Sequence, residues 1–268
     1  MADRSDMVLA TGVGVAGVVT GAAVVAALHR LVKGPPADCS QAGNSGGVVA
    51  GVPYLERMRG GAQPQEAVPM VVLFHSLGAT PKGYEKALSN IGRARLILPE
   101  GPYPGAGGGH KWWELGVKAA VEDDPEGAAA QWEGTADRIG EFLRQIVQCR
   151  PTIGEPIVTG SSQGGEMSLL MASTHPRRVR AGVAVSSYLL GPFWSSRMAP
   201  TVMIHGTGDT TVPYAWAKSY AQEMIARGAH LAFEPYDSVG HAVTKPMSRR
   251  WMELVRAEVG ATWGEMAA

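Results

Sequence analysis

Two cysteines in 268 residues, Cys39 and Cys149, are too few for a disulfide framework or a cysteine-built metal cluster. Charge of one sign is also lacking. Lys and Arg together number 24, Asp and Glu 24, and no basic stripe or aromatic-rich basic patch breaks the balance. Nucleic acid is therefore not an expected partner. There is no internal repeat. What the chain does have is glycine, 35 residues, which suits many tight loops between buried elements. A hydrophobic fraction of 45% over this length suits one globular domain with a full core, plus an extra piece at the N-terminus.

That piece is residues 1–33. Met7 to Leu28 is an uncharged run of Val, Ala, Gly, Thr, Leu and Met. As a helix it reaches about 33 Å, enough for a hydrocarbon core of about 30 Å. The run is expected to be an apolar helix anchoring the chain in a membrane by a single pass. A cleaved signal with secretion, or a buried glycine/alanine-rich helix, are the alternatives. Arg30 and Lys33 follow the run, whereas Arg4 sits between Asp3 and Asp6. The positive-inside rule thus favours the cytoplasmic face for the domain. Residues 34–47 offer breakers and no apolar periodicity, so a flexible linker is expected, with the folded domain over 48–268.

From Val48 onward strand and helix patterns alternate. Val68–Phe74 is a continuous apolar run, as in a strand covered on both faces. Arg95–Pro99, Pro156–Thr159, Arg180–Val185, Thr201–Ile204 and His230–Pro235 read as further strands. Helices are expected over Lys82–Ile91, Gly127–Cys149, Ala215–Arg227 and Lys245–Val259. This alternation implies an α/β fold with a mainly parallel sheet between helix layers. In such sheets, functional loops gather at the carboxyl ends of the strands.

Those loops carry the candidate chemistry. Gly160-Ser161-Ser162-Gln163-Gly164 is a G-x-S-x-G box between a strand and a helix, the context that exposes a nucleophilic serine on a strained elbow. His241, after the last strand, can take the proton of Ser162 and return it to a leaving group. Asp209, after the strand ending at Ile204, can orient His241. Asp237 competes for that role, but it lies four residues before the histidine in the same loop. The order Ser162, Asp209, His241 is that expected of α/β-hydrolases. Two backbone amides are needed for the oxyanion, and Gln163 and Leu77 are the candidates.

Ser162-Gln163-Gly164-Gly165, the segment from His205 through Asp209 to Tyr214, and Arg180–Leu190 together resemble the phospholipase/carboxylesterase family, which includes acyl-protein thioesterases. The resemblance covers roughly Val49 to the C-terminal helix. It implies a compact α/β-hydrolase without a large lid, using no cofactor or metal. The implied activity is hydrolysis of carboxylic esters or thioesters of short to medium acyl chains. Trp112 and Trp113 fall where the family often has a tryptophan near the substrate groove, so they are expected either to bind substrate or to pack the core. Two positions depart from the pattern. Ser76 stands where the family usually has glycine after histidine, and Ser161 replaces a bulkier residue before the nucleophile. The expected partner is a small-molecule or lipid-like acyl ester. A peptidase or polyester depolymerase on the same fold, or a catalytically silent acyl-binding module, are the competing functions. Oligomeric state is left open.

Overall fold

The computed structural model describes residues 37–114, apart from 41 and 44, and residues 123–267. The apolar run at 7–28 lies outside the described residues. Among the described residues no helix is long and apolar enough to cross a membrane.

Among the described residues eleven strands form in chain order: β1 Ala42–Gly43, β2 Gly46–Val49, β3 Val52–Arg59, β4 Val68–Phe74, β5 Ala94–Pro99, β6 Tyr103–Pro104, β7 His110–Lys111, β8 Thr152–Ser161, β9 Ala181–Val185, β10 Thr201–Gly206 and β11 Leu231–Tyr236. β6 and β7 pair by themselves. The other nine make one sheet in the order β1-β2-β3-β5-β4-β8-β9-β10-β11. Pairing is antiparallel from β1 through β3 to β5, and parallel from β5 to β11. This is the mainly parallel sheet that the alternation of strands and helices predicts.

The twofold period of the strands divides the core. Met70, Val72, Phe74, Val158, Ala184 and Met203 face one side. There they meet helices α1 Pro125–Cys149, α2 Gln163–Thr174 and α3 Tyr214–Ala226. Val71, Leu73, Ile157, Val183, Val185 and Ile204 face the other side, against α4 Lys245–Ala267 through Met247, Trp251, Val255 and Val259. All seven residues of β4 are buried, as a strand covered on both faces requires. In α1, Trp132, Ala136, Ile139, Leu143 and Ile146 recur at helical spacing on the buried face. Asp124 caps that helix by accepting the Gly127 N–H at 2.9 Å.

Two expectations are corrected. The described part of the 34–47 stretch is not a flexible linker. β1 and β2 extend the sheet there, and the compact unit begins at Ala37. Glycine in this stretch serves close packing: a Cβ on Gly46, at φ +138°, would lie 2.3 Å from the Tyr54 carbonyl oxygen. Cys39 is also disulfide-bonded to Cys149 at the end of α1, 110 residues away. Closing a loop of that size stabilises a fold by about 5 kcal/mol in the chain-entropy treatment. The second correction concerns Lys82–Ile91. Only a 3-10 turn, Pro81–Tyr84, forms there, and Leu88 adopts φ +51°, which a continuing helix does not allow.

β3 hides a charged cluster. Glu56 pairs with Arg95 on neighbouring β5 and accepts from Arg150 Nε at 2.6 Å, while Arg150 also donates to the Tyr54 hydroxyl at 2.8 Å. Removing one partner from such a buried set is costly, because a bare charge remains.

Candidate active site

The loops after β4, β8, β10 and β11 leave the carboxyl edge of the parallel sheet, with the loop after β9 between those of β8 and β10. β8 ends at Ser161, and Ser162 turns sharply at φ +54°, ψ −129° before α2 begins. The turn is possible only because glycines flank it. A Cβ on Gly160 would sit 2.4 Å from Gly164 backbone, and one on Gly164 would sit 2.1 Å from the Phe74 oxygen. The Ser162 N–H donates to Val185 O at 2.9 Å, tying the elbow to β9.

The three candidate side chains converge. His241 Nε2 lies 3.0 Å from Ser162 Oγ, and His241 Nδ1 lies 2.8 Å from Asp209 Oδ2. Asp209 is 3% exposed. Its Oδ1 accepts the N–H groups of Thr211 and Val212, each at 3.0 Å. The carboxylate is thus held by backbone donors on one oxygen and presents the other to the imidazole. Asp237 is exposed and takes no part. The Asp209 and His241 loops are stitched together: Gly208 N–H donates to Val239 O at 2.9 Å, and Ser238 N–H donates to Thr207 Oγ1 at 2.9 Å.

His205 has a place in the site that the sequence does not reveal. It is wholly buried, its Nε2 donates to Val212 O at 3.0 Å, and that nitrogen lies 3.4 Å from Asp209 Oδ2. Burial lowers its pKa, so it is neutral beside the acid. The motif containing it is legible, but its contact with Asp209 depends on the loop closing back on itself.

The oxyanion candidates Gln163 and Leu77 lie just after β8 and β4. The amides of Gln163 and Leu77 donate to no acceptor among the described residues. Both donors are therefore available to an incoming oxygen. The Gln163 side chain points the other way: Oε1 accepts Trp112 N–H at 3.1 Å, and Nε2 donates to Trp113 O at 3.2 Å. His75 anchors the second loop. Its Nε2 accepts Gly101 N–H at 3.0 Å, which leaves the proton on Nδ1 to donate to Ser76 O at 2.9 Å. Burial pushes its pKa down to about 4, so the ring stays neutral in its structural role.

Trp112 and Trp113 do not line the groove. They are 0% and 1% exposed. Trp112 packs edge-on against Phe74 and donates its indole N–H to His75 O at 2.8 Å, while Trp113 stacks on Trp132. Of the two expected roles, core packing is the one their burial allows. The cleft beside Ser162 has a volume of about 370 Å³, with Ser76, Leu77, Ser186, Thr211 and Val243 among its walls.

The family model described as phospholipase/carboxylesterase matches residues 60–256. Acyl-protein thioesterase 1 of Gibberella zeae is 28% identical over 205 residues, which is 64% of this chain and 83% of that protein. The structure of Zea mays acyl-protein thioesterase 2 superposes with a TM-score of 0.59 at 18% identity, over 77% of this chain and 98% of that one. The carboxylesterase of Bacillus cereus gives a TM-score of 0.61 at 13% identity, over 77% and 94%. At those identities the two structures speak for the fold alone.

Proposed function

The chain belongs to the phospholipase/carboxylesterase family and is a serine hydrolase of the esterase/thioesterase kind, and from that premise we propose that Ser162, His241 and Asp209 hydrolyse carboxylic esters or thioesters of short to medium acyl chains. Ser162 Oγ attacks the acyl carbonyl while His241 Nε2 takes its proton. The amides of Gln163 and Leu77 hold the oxyanion. His241 then protonates the departing alcohol or thiol, leaving an acyl-enzyme. Water repeats the sequence to release the acid. Asp209 keeps the proton on His241 Nδ1 and stabilises the cation.

One observation carries this reading: the unbroken run from Ser162 Oγ through His241 to Asp209, at 3.0 and 2.8 Å. An acyl substrate is supported by the cleft rim. Leu77 and Val243 are large apolar side chains that stay 54% and 40% exposed, and both flank the nucleophile. An acyl chain laid between them would cover that surface.

Turnover of p-nitrophenyl esters and acyl thioesters from two to twelve carbons is expected to peak at the short to medium lengths, with peptide anilides and polyester films untouched. Faster cleavage of anilides or films would replace this reading by the peptidase or depolymerase one. Binding of fatty acid without turnover of any ester would replace it by a silent acyl-binding module.

The cellular setting is part of the proposal. Residues 7–28 tether the domain to a membrane, and the Cys39–Cys149 bridge suits an oxidising compartment. That outweighs the two-against-one count of basic residues favouring the cytoplasmic face. The full chain is expected to sediment with membranes until detergent is added, and a chain beginning at Ala37 to stay in the supernatant. Both cysteines should resist alkylation in intact cells until a reductant is supplied. Ready alkylation would place the domain on the reducing side.

A further inference from the structure

We propose that Ser76, together with Ser161 and Tyr84, is a positioning clamp that sets the Leu77 half of the oxyanion hole by tying its loop to the residue before the nucleophile. The inference rests on the catalytic reading above.

β4 and β8 are parallel neighbours, with Phe74 opposite Gly160. The residues that follow therefore emerge side by side at the carboxyl edge of the sheet. Ser76 Oγ lies 2.9 Å from both Ser161 O and Ser161 Oγ, and 2.6 Å from Tyr84 Oη. A serine hydroxyl has one proton. That of Ser76 goes to the Ser161 carbonyl, which cannot donate. The Ser161 and Tyr84 hydroxyls are then left to donate within the cluster, to Ser76 Oγ or to each other across 3.4 Å. Tyr84 Oη in turn accepts the Ser76 N–H at 3.3 Å. All three hydroxyl protons are used inside the cluster. It therefore has no donor left for substrate, although Ser76 and Ser161 line the cleft.

The backbone completes the clamp. Ser76 O accepts His75 Nδ1–H at 2.9 Å and Ala79 N–H at 3.1 Å. Because the peptide unit is planar and trans, fixing that carbonyl fixes the Leu77 N–H in the opposite direction. Every polar atom of Ser76 is thus engaged, and the adjoining Leu77 amide has no acceptor among the described residues. An oxyanion donor works by being in place before the charge forms. Ser76 and Ser161 are also the two positions at which the chain departs from the family pattern, and they meet in one cluster.

Ser76→Ala is expected to lower kcat for p-nitrophenyl butyrate by about ten- to a hundredfold with KM changed less than about twofold. The affinity for a butylboronic acid, which becomes tetrahedral on Ser162, should weaken by the same factor. Ser76→Thr, which keeps a hydroxyl, should recover most of the rate. Tyr84→Phe removes both the donor to Ser76 Oγ and the acceptor of the Ser76 N–H and should lose several-fold in kcat, giving a second route should Ser76→Ala fold poorly. Ser76→Ala combined with Ser161→Ala should cost less than the product of the two. Wild-type kcat in Ser76→Ala or in Tyr84→Phe overturns the clamp and leaves the triad standing. So does a loss confined to KM, which would make Ser76 a substrate contact. A wild-type chain that neither turns over ester nor labels with a fluorophosphonate overturns the catalytic reading itself, and the clamp with it.

Discussion

Ser162→Ala is expected to lower turnover of an activated ester by about a millionfold and to abolish fluorophosphonate labelling, while the protein should melt close to the wild-type temperature. The magnitude follows from what is lost. Without Oγ there is no nucleophile for His241 to activate, and an acting triad loses nearly all its advantage when its serine is removed. The thermal result follows from the fold. Ser162 is exposed enough to face the cleft, and its N–H bond to Val185 O survives the change. A companion variant separates chemistry from conformation. Ser162 holds φ +54°, ψ −129°, where a side chain is strained by about 1–3 kcal/mol. Ser162→Gly relieves that strain while raising the entropy of the unfolded chain. It is expected to be equally dead but more stable by about 1 kcal/mol, or roughly 2–4 °C for a domain of this size. Kinetics on a chromogenic ester, active-site labelling and thermal denaturation check all three. Residual labelling of Ser162→Ala would move the nucleophile elsewhere. A Ser162→Gly variant melting below Ser162→Ala would show that the elbow is not strained.

How much of this is legible in the sequence depends on the range of the interactions. The elbow is a local object: strand, glycine, serine, glycine and helix are contiguous, and the close approaches at Gly160 and Gly164 follow from that spacing. The proposed acid and base, Asp209 and His241, are distant in the chain but can be proposed from their order, since each lies in a loop that follows a strand of the parallel sheet. β4 is legible because all its residues are apolar. β3 is not, because its buried side includes Glu56, which is neutralised by Arg95 and Arg150 from other elements. The strands before it look like a linker because glycine, read one residue at a time, signals freedom. At Gly46 it answers to the Tyr54 carbonyl instead. The Cys39–Cys149 bond spans 110 residues, and nothing near either cysteine announces the other. Trp112 and Trp113 fall at the right place in the chain for a groove. Their rings turn inward because Phe74, His75 and Trp132 offer partners there. The clamp of Ser76 with Ser161 is visible in sequence only as two isolated departures.

Glu166 supplies the second large effect, on stability rather than rate. It lies in the first turn of α2, fully buried behind the nucleophile, and neither carboxyl oxygen has a hydrogen-bond partner among the described residues. Burial pushes its pKa up to about 8. Tyr188 is coupled to it: its phenol is pushed upward first by burial and then by the charge of Glu166. At neutral pH Glu166 is therefore a neutral acid in the fold. Its pKa in the unfolded chain is the ordinary one, near 4.5. Below that value both states are protonated and the group contributes no pH dependence. Between 4.5 and 8 the unfolded chain releases the proton and the folded one keeps it, so the folded state binds more protons and stability falls as pH rises. Above 8 the fall levels off. Glu166→Gln preserves shape and cannot titrate. It should match the wild type near pH 4 and gain on it steadily through that window, reaching several kcal/mol, on the order of 10 °C, by pH 8. Denaturant or thermal melts of both proteins from pH 4 to 9 measure the difference directly. Parallel curves would mean that Glu166 is ionised or hydrated in the fold and that its burial carries no such cost. If the curves do diverge, this position holds a destabilising acid directly behind the nucleophile. An arrangement that weakens the fold at neutral pH can then be tested for its value to the reaction by comparing the pH profile of kcat in the same two proteins.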